Sequence, residues 1–211
     1  MVFNQKNKIY NIYLSLAGKY KKPDAFWREW CKEKKNRGER ERIVLGAILT
    51  QRTSWQNVEM ALKNLAEARA LSIEKIYNLG LKNMEQLEKL IKPSGFYRQK
   101  AKRLFLFCKF IIKNHKSFKI FLKHDLKTCR DGLLEIYGIG PETADSILLY
   151  AGSKPVFVID EYTRRLCQKY GISDNISYDY LQDMFQKSLP KDVKIYQDFH
   201  AMIVLEGKNK E

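Results

Sequence analysis

The sequence predicts an all-α fold on three observations. Apolar residues recur at helical spacing through most of the 211 residues. Residues able to cap a helix stand where such stretches begin. A single short run, 156–159, reads as extended. In order, residues 5–19 place Ile9, Ile12, Tyr13 and Leu16 on one helical face. The basic segment 32–42 fits either a loop or an exposed helix start. Residues 41–50 form an apolar helix, and Ser54 caps the next, 55–69, with Val58, Leu62 and Leu65 inward. Ser72 begins a short helix, and Asn83 begins another that runs toward Leu90. Pro93-Ser-Gly95 is a break, after which 98–114 forms a basic helix with Leu104, Cys108 and Ile111 inward.

Charge bounds the partners. Lys and Arg number 39 against 24 Asp and Glu, a formal net charge of +15, which attracts polyanions and speeds their association. An aromatic content of 12% with ordinary apolar content argues against a disordered basic tail. The length suits one globular unit or two small lobes. No apolar run approaches a membrane span and the first residues lack a secretory pattern, so a cytoplasmic, nucleoid-associated protein with no membrane partner is expected. Cys31, Cys108, Cys129 and Cys167 are dispersed and read as buried thiols; their spacing supports neither zinc nor an iron–sulfur cluster. His115, His124 and His200 are isolated, and His200, on an apolar helix, reads as a hydrogen-bonded packing residue rather than a ligand.

The chemistry concentrates in Gly132-Leu-Leu-Glu-Ile-Tyr-Gly138-Ile-Gly140-Pro-Glu142-Thr-Ala and in Val156-Phe-Val-Ile-Asp160. An apolar helix ends in Gly-x-Gly and a second helix starts at once with Pro141 in its first turn, which makes a helix-hairpin-helix. Backbone N–H groups at a positive helix end suit a phosphate. The later apolar run delivers one carboxylate, Asp160, to the start of another helix. A phosphate grip followed by a positioned carboxylate points to an enzyme acting on the nucleic-acid backbone or its sugars.

Five motifs occur in a telling order: Leu45-Gly-Ala-Ile-Leu-Thr-Gln51-Arg-Thr53, Lys92-Pro-Ser-Gly95-Phe-Tyr-Arg-Gln-Lys100-Ala-Lys102, Gly138-Ile-Gly140-Pro-Glu-Thr-Ala144, Val158-Ile-Asp160 and Phe199-His-Ala-Met-Ile-Val. In that order the chain, from about residue 40 to 206, resembles the endonuclease III superfamily of helix-hairpin-helix DNA glycosylases. Within it the chain looks most like the endonuclease III-like 3-methyladenine DNA glycosylase branch. The resemblance implies two helical lobes with the target base flipped into the cleft between them. One would span 36–152 and hold the hairpin at about 129–151; the other would combine 1–35 with 153–211.

Residue roles follow from the same resemblance. Asp160 falls at the family's catalytic acid, where a fixed carboxylate stabilises positive charge on the sugar; it also suits a helix N-cap. Glu142 stands where bifunctional members carry an imine-forming lysine, which implies base removal by water alone. It is a base-pocket candidate and equally an ordinary first-turn acid. Lys154 leaves room for weak lyase activity. Trp55 falls at a ring that stacks on the flipped base, or is core; Trp27 and Trp30 lie where relatives have further pocket aromatics. Met202 replaces a pocket lysine. Gln51 is the candidate wedge filling the gap left by the base, or a helix-end polar residue, and Arg52 beside it would contact DNA. Gly138, Ile139, Gly140 and Thr143 would meet phosphate, beside a monovalent cation held by hairpin carbonyls. Lys100, Lys102 and Arg103 would meet phosphates or form a solvated helix face. The relatives' 4Fe–4S cluster would begin where this chain closes, so no cofactor is expected. The expectation is therefore a monomeric, monofunctional glycosylase acting on duplex DNA with a damaged base, an alkylated purine first. The alternatives are a glycosylase/AP lyase for oxidised or deaminated bases and a non-catalytic damaged-DNA-binding protein.

Overall fold

A computed structural model describes residues 2–21 and 25–209, with side chains from 7–21 and 27–209. The expected second lobe, 1–35 with 153–211, includes residues 1, 22–24, 210 and 211, which lie outside that description. Among the described residues the fold is all-α, without a strand. Contacts group the chain into two compact units, Lys35–Ile147 and Met1–Lys34 with Leu148–Glu211. The division falls at 147/148 rather than at 152/153. Leu148, Leu149, Tyr150 and Ala151 are fully buried, and Tyr150 and Leu149 are bonded to the last helix through Gln197.

In the first of these units, α3 (Arg37–Leu49) starts from a capping box: Asn36 accepts from the Glu39 amide, and the Glu39 carboxylate accepts from the Asn36 amide. The segment 32–42 is thus a turn followed by a helix start. Glu41 is buried, its carboxylate accepting from Arg37 and from the amide of Ile73. That bond ties α3 to the first residue of α5 (Ile73–Lys82). Ser54, Ser72 and Asn83 cap α4 (Trp55–Glu67), α5 and α6 (Met84–Leu90), each accepting from an amide three residues on. A 3₁₀ turn at Lys92–Ser94 leads into α7 (Tyr97–His115), which packs against α3, α5 and α6. After α8 (Phe118–Phe121), α9 (Leu126–Leu134) and α10 (Pro141–Ser146) form the hairpin pair. Arg130 of α9 donates to both carboxylate oxygens of the fully buried Asp145 of α10, at 2.8 and 3.2 Å. This two-bond contact fixes the two helices of the hairpin.

In the other unit, α1 (Val2–Tyr20) packs on α12 (Tyr178–Ser188) and α13 (Val193–Lys208), and α11 (Glu161–Lys169) packs on α13. The short α2 (Ala25–Trp30) precedes Cys31, and a π-helical turn, Ile147–Ala151, precedes the run ending at Asp160. That run is irregular rather than a strand. The amide of Phe157 donates to the side chain of Gln186, and its carbonyl accepts from Gln182, so side chains of α12 satisfy backbone groups that a sheet would otherwise pair. Val156, Phe157, Val158 and Ile159 are all buried, and the Phe157 ring meets Phe185, Tyr196 and Phe199. The buried run holds Asp160 at the first turn of α11.

Candidate active site and hairpin

Asp160 is the N-cap of α11, with extended backbone. Its Oδ1 accepts from the Thr163 amide at 2.8 Å and the Thr163 hydroxyl at 2.9 Å, and its Oδ2 lies 3.3 Å from His200 Nε2. The side chain is 14% exposed. Burial alone would raise this carboxyl. The electrostatic pull of the His200 side chain beside Oδ2 and the bonds from Thr163 outweigh it and hold the group below the usual carboxylate range. The same bonds that cap the helix therefore favour the carboxylate anion.

Behind His200 lies a buried wall. Tyr150 Oη stands 2.7 Å from His200 Nδ1, and the Trp27 ring packs edge-on against His200. Trp27 and Trp30 both meet the Tyr150 ring and are 6% and 5% exposed. These two tryptophans are thus gathered in the unit that carries Asp160, as packed rings around Tyr150 and His200. Met202 is buried on α13 and Lys154 is half-buried.

The hairpin assigns different duties to its glycines. Gly138 has φ +83, and a Cβ there would meet the Arg103 side chain at 2.3–2.6 Å. Gly140 has ordinary φ and nothing within 4 Å of a Cβ position. The first is required by the turn, and the second leaves the start of α10 open. Ile139 departs from its expected role. Its amide donates to Ile136 O at 3.0 Å and its side chain is buried, so it closes the turn instead of offering an N–H to phosphate.

Gln51 and Thr143 depart too. Gln51 Nε2 donates to Gly138 O at 3.1 Å and to Thr143 Oγ1 at 2.9 Å, while Arg103 Nη1 donates to Gln51 Oε1. Gln51 therefore holds the α3–α4 turn against the hairpin rather than projecting as a wedge, and the buried Thr143 hydroxyl is occupied internally. Gly138 O, among the carbonyls expected at a cation, accepts from Gln51. Arg52 is exposed in this turn, in the left-handed region at φ +53.

Lys100 is a clear correction. It is 1% exposed, and its ammonium donates to Leu49 O at 2.8 Å and to Ser94 O. It closes the carboxyl end of α3, where a cation is favoured, and cannot reach DNA. Burial, with the nearby charge of Arg103, lowers its pKa to about 8. Lys102 is exposed, its Nζ over the ring of Tyr137 at 5.0 Å. Trp55 is half-buried in the first turn of α4 and Glu142 is exposed in the first turn of α10. Sequence reasoning passed over Phe96. It is 59% exposed and left-handed at φ +44. A bulky residue held in so costly a backbone conformation beside Gly95 was a signal only once φ was known.

All four cysteines are buried thiols, and among the described residues no group of three His, Cys, Asp or Glu is placed to hold a metal ion.

An all-α chain with this hairpin and this helix-capping acid belongs to the HhH-GPD superfamily of base excision DNA repair proteins, whose family model matches residues 45–191. A Methanocaldococcus jannaschii protein named "Putative DNA repair glycosylase MJ1434" is 43% identical over 95% of this chain and 87% of its own. Endonuclease III of Thermotoga maritima is 28% identical over 72% of this chain and 66% of its own. The structure of H. pylori 3-methyladenine DNA glycosylase bound to 1,N6-ethenoadenine superposes with a TM-score of 0.78 at 31% identity, covering 100% of this chain and 98% of that one.

Proposed function

We propose that the protein is a monofunctional DNA glycosylase that hydrolyses the N-glycosidic bond of an alkylated purine, such as 3-methyladenine, in duplex DNA. The observation that carries this reading is the Asp160 carboxylate, capped through Oδ1, faced by His200 at Oδ2 and held ionised. As the base departs, positive charge grows on the sugar, and a fixed anion stabilises it without having to reorganise. Water, oriented by the same carboxylate, completes the substitution. N3- and N7-alkylated purines are cationic and leave readily, so little acid catalysis is required; an aromatic face such as Trp55 suits such a ring. Glu142, at the hairpin position where an imine-forming amine would stand, supports hydrolysis over lyase chemistry. The likeness to the H. pylori 3-methyladenine enzyme supports the substrate class.

A second reading, a glycosylase with AP lyase activity, is favoured by one feature. Lys154 lies in the same unit as Asp160 and supplies an amine. The discriminating experiment presents duplexes that each carry one alkylated, oxidised or deaminated base and measures free base by chromatography. Release of 3-methyladenine ahead of 8-oxoguanine, thymine glycol and uracil supports the proposal. Preferential release of an oxidised or deaminated base contradicts its substrate half. Tight binding with no release from any duplex makes the protein a damaged-DNA-binding module.

A further inference from the structure

We infer that His200 is a positioning residue for Asp160, its tautomer set by Tyr150, so that one lone pair of one carboxylate oxygen is left for the reacting sugar or water. This rests on the glycosylase reading above and adds a specific orienting device to it. Asp160 Oδ1 already accepts two hydrogen bonds from Thr163, which occupy both of its lone pairs. Oδ2 lies 3.3 Å from His200 Nε2, a buried nitrogen with no other hydrogen-bond partner among the described residues, so a proton on it is directed at one of the two lone pairs there.

Which ring nitrogen carries the proton follows from Tyr150. The phenol is fully buried, and burial, with Cys31, Asp160 and Asp198 nearby, keeps its pKa well above the ordinary phenol value. It is therefore a permanent donor with one proton to give. Its two neighbours are His200 Nδ1 at 2.7 Å and the Gln197 carbonyl at 3.3 Å. The shorter contact selects Nδ1 as acceptor, which places the imidazole proton on Nε2, facing Asp160. Gln197 is itself pinned, its Nε2 donating to Leu149 O at 2.8 Å, so the chain from backbone to acid is continuous and buried. Trp27 and Phe157 bound the imidazole with ring edges and faces, offering no competing acceptor through their rings.

The test has a catalytic and a spectroscopic arm on the full chain. In the first, single-turnover base release is measured for wild type, His200→Leu, His200→Gln, Tyr150→Phe and Asp160→Asn, with lesion-duplex affinity and thermal melting recorded for each. His200→Leu should slow release on the order of 10- to 100-fold, the scale of losing a group that orients a functional ligand. Its duplex affinity should stay near wild type, since the acid acts on the transition state. His200→Gln, whose amide can place a donor where Nε2 stood, should restore most of that loss. In the second arm, ¹⁵N-histidine spectra should show His200 as the Nε2–H tautomer in wild type, with Nδ1–H appearing in Tyr150→Phe. A wild-type Nδ1–H tautomer, or a His200→Leu protein releasing base at the wild-type rate, overturns the inference. If wild type releases base, Asp160→Asn does not, and His200→Leu is unimpaired, the inference falls while the glycosylase reading stands. No release by wild type from any lesion removes the reading itself.

Discussion

Asp160 and Lys100 are charged groups handled in opposite ways. Asp160 is partly buried, yet donors face both its oxygens, so its carboxyl titrates below the usual range. A depressed acid contributes stability above its unfolded pKa and loses it as pH falls through the folded one. Asp160 therefore stays ionised throughout the neutral and mildly acid range, and base release should show no loss from this group down to about pH 5. Replacing it with Asn keeps an amide oxygen for the Thr163 bonds but removes the charge, so release should fall about 10²- to 10³-fold or more in single-turnover assays while the fold is retained. Lys100 is a buried base whose pKa is lowered to about 8. Between that value and the unfolded lysine value near 10.4, the unfolded chain holds a proton that the folded protein has released, so this group makes stability rise with pH through that window. Lys100→Met should lower unfolding free energy by about 2–3 kcal/mol at neutral pH, because Leu49 O and Ser94 O lose a charged donor. Denaturant titrations should also show the variant falling further behind wild type as pH rises above 8. The cap at Asp160 was legible because a capping residue at the end of an apolar run is a local pattern. Lys100 was misread as part of a basic run, although it stands four residues before Leu104 on the same buried stripe as Cys108 and Ile111. Its register along the helix held the correct signal.

The hairpin depends on one glycine with positive φ, one open glycine and one ion pair to a buried carboxylate. Gly138→Ala forces a Cβ into a left-handed position against Arg103, and it should destabilise the protein as well as weaken DNA binding. Gly140→Ala meets nothing within the protein, so melting should hardly change while duplex affinity falls if backbone approaches phosphate there. Opposite ordering of the two variants in melting experiments would contradict the assignment. Asp145→Ala leaves Arg130 without its buried partner and should cost about 3–5 kcal/mol in denaturant unfolding. At this scale the sequence was informative about existence and caps: the starts at Ser54, Ser72 and Asn83 appear where the hydroxyl and amide residues stand. It could not disclose that Gln51 reaches Gly138 and Thr143, 87 and 92 residues away, because such bonds leave no local periodicity. The role of 156–159 was hidden for a related reason: in a run of strand-like composition, the backbone of Phe157 is instead satisfied by side-chain amides of α12.

At the level of the whole molecule, the net charge of +15 makes DNA affinity depend on counterion release. Lys102→Ala should reduce the slope of log affinity against log salt by about 1, whereas Lys100→Met, which removes a charge buried from any phosphate, should leave it unchanged. Equal effects from both would contradict the placement of Lys100. No linker or composition shift marks Ile147, and Leu148, Leu149, Tyr150 and Ala151 are fully buried, so the boundary between the two helical units leaves no local signal in the sequence. The central claim, hydrolysis by Asp160 without an imine, is tested most directly on a duplex carrying one 3-methyladenine, treated with wild type or Asp160→Asn, with and without borohydride and with and without alkali. The account predicts free base from wild type alone, strand breaks only after alkali, and no trapped covalent adduct. A borohydride-trapped protein–DNA species, or release that survives Asp160→Asn, would contradict it.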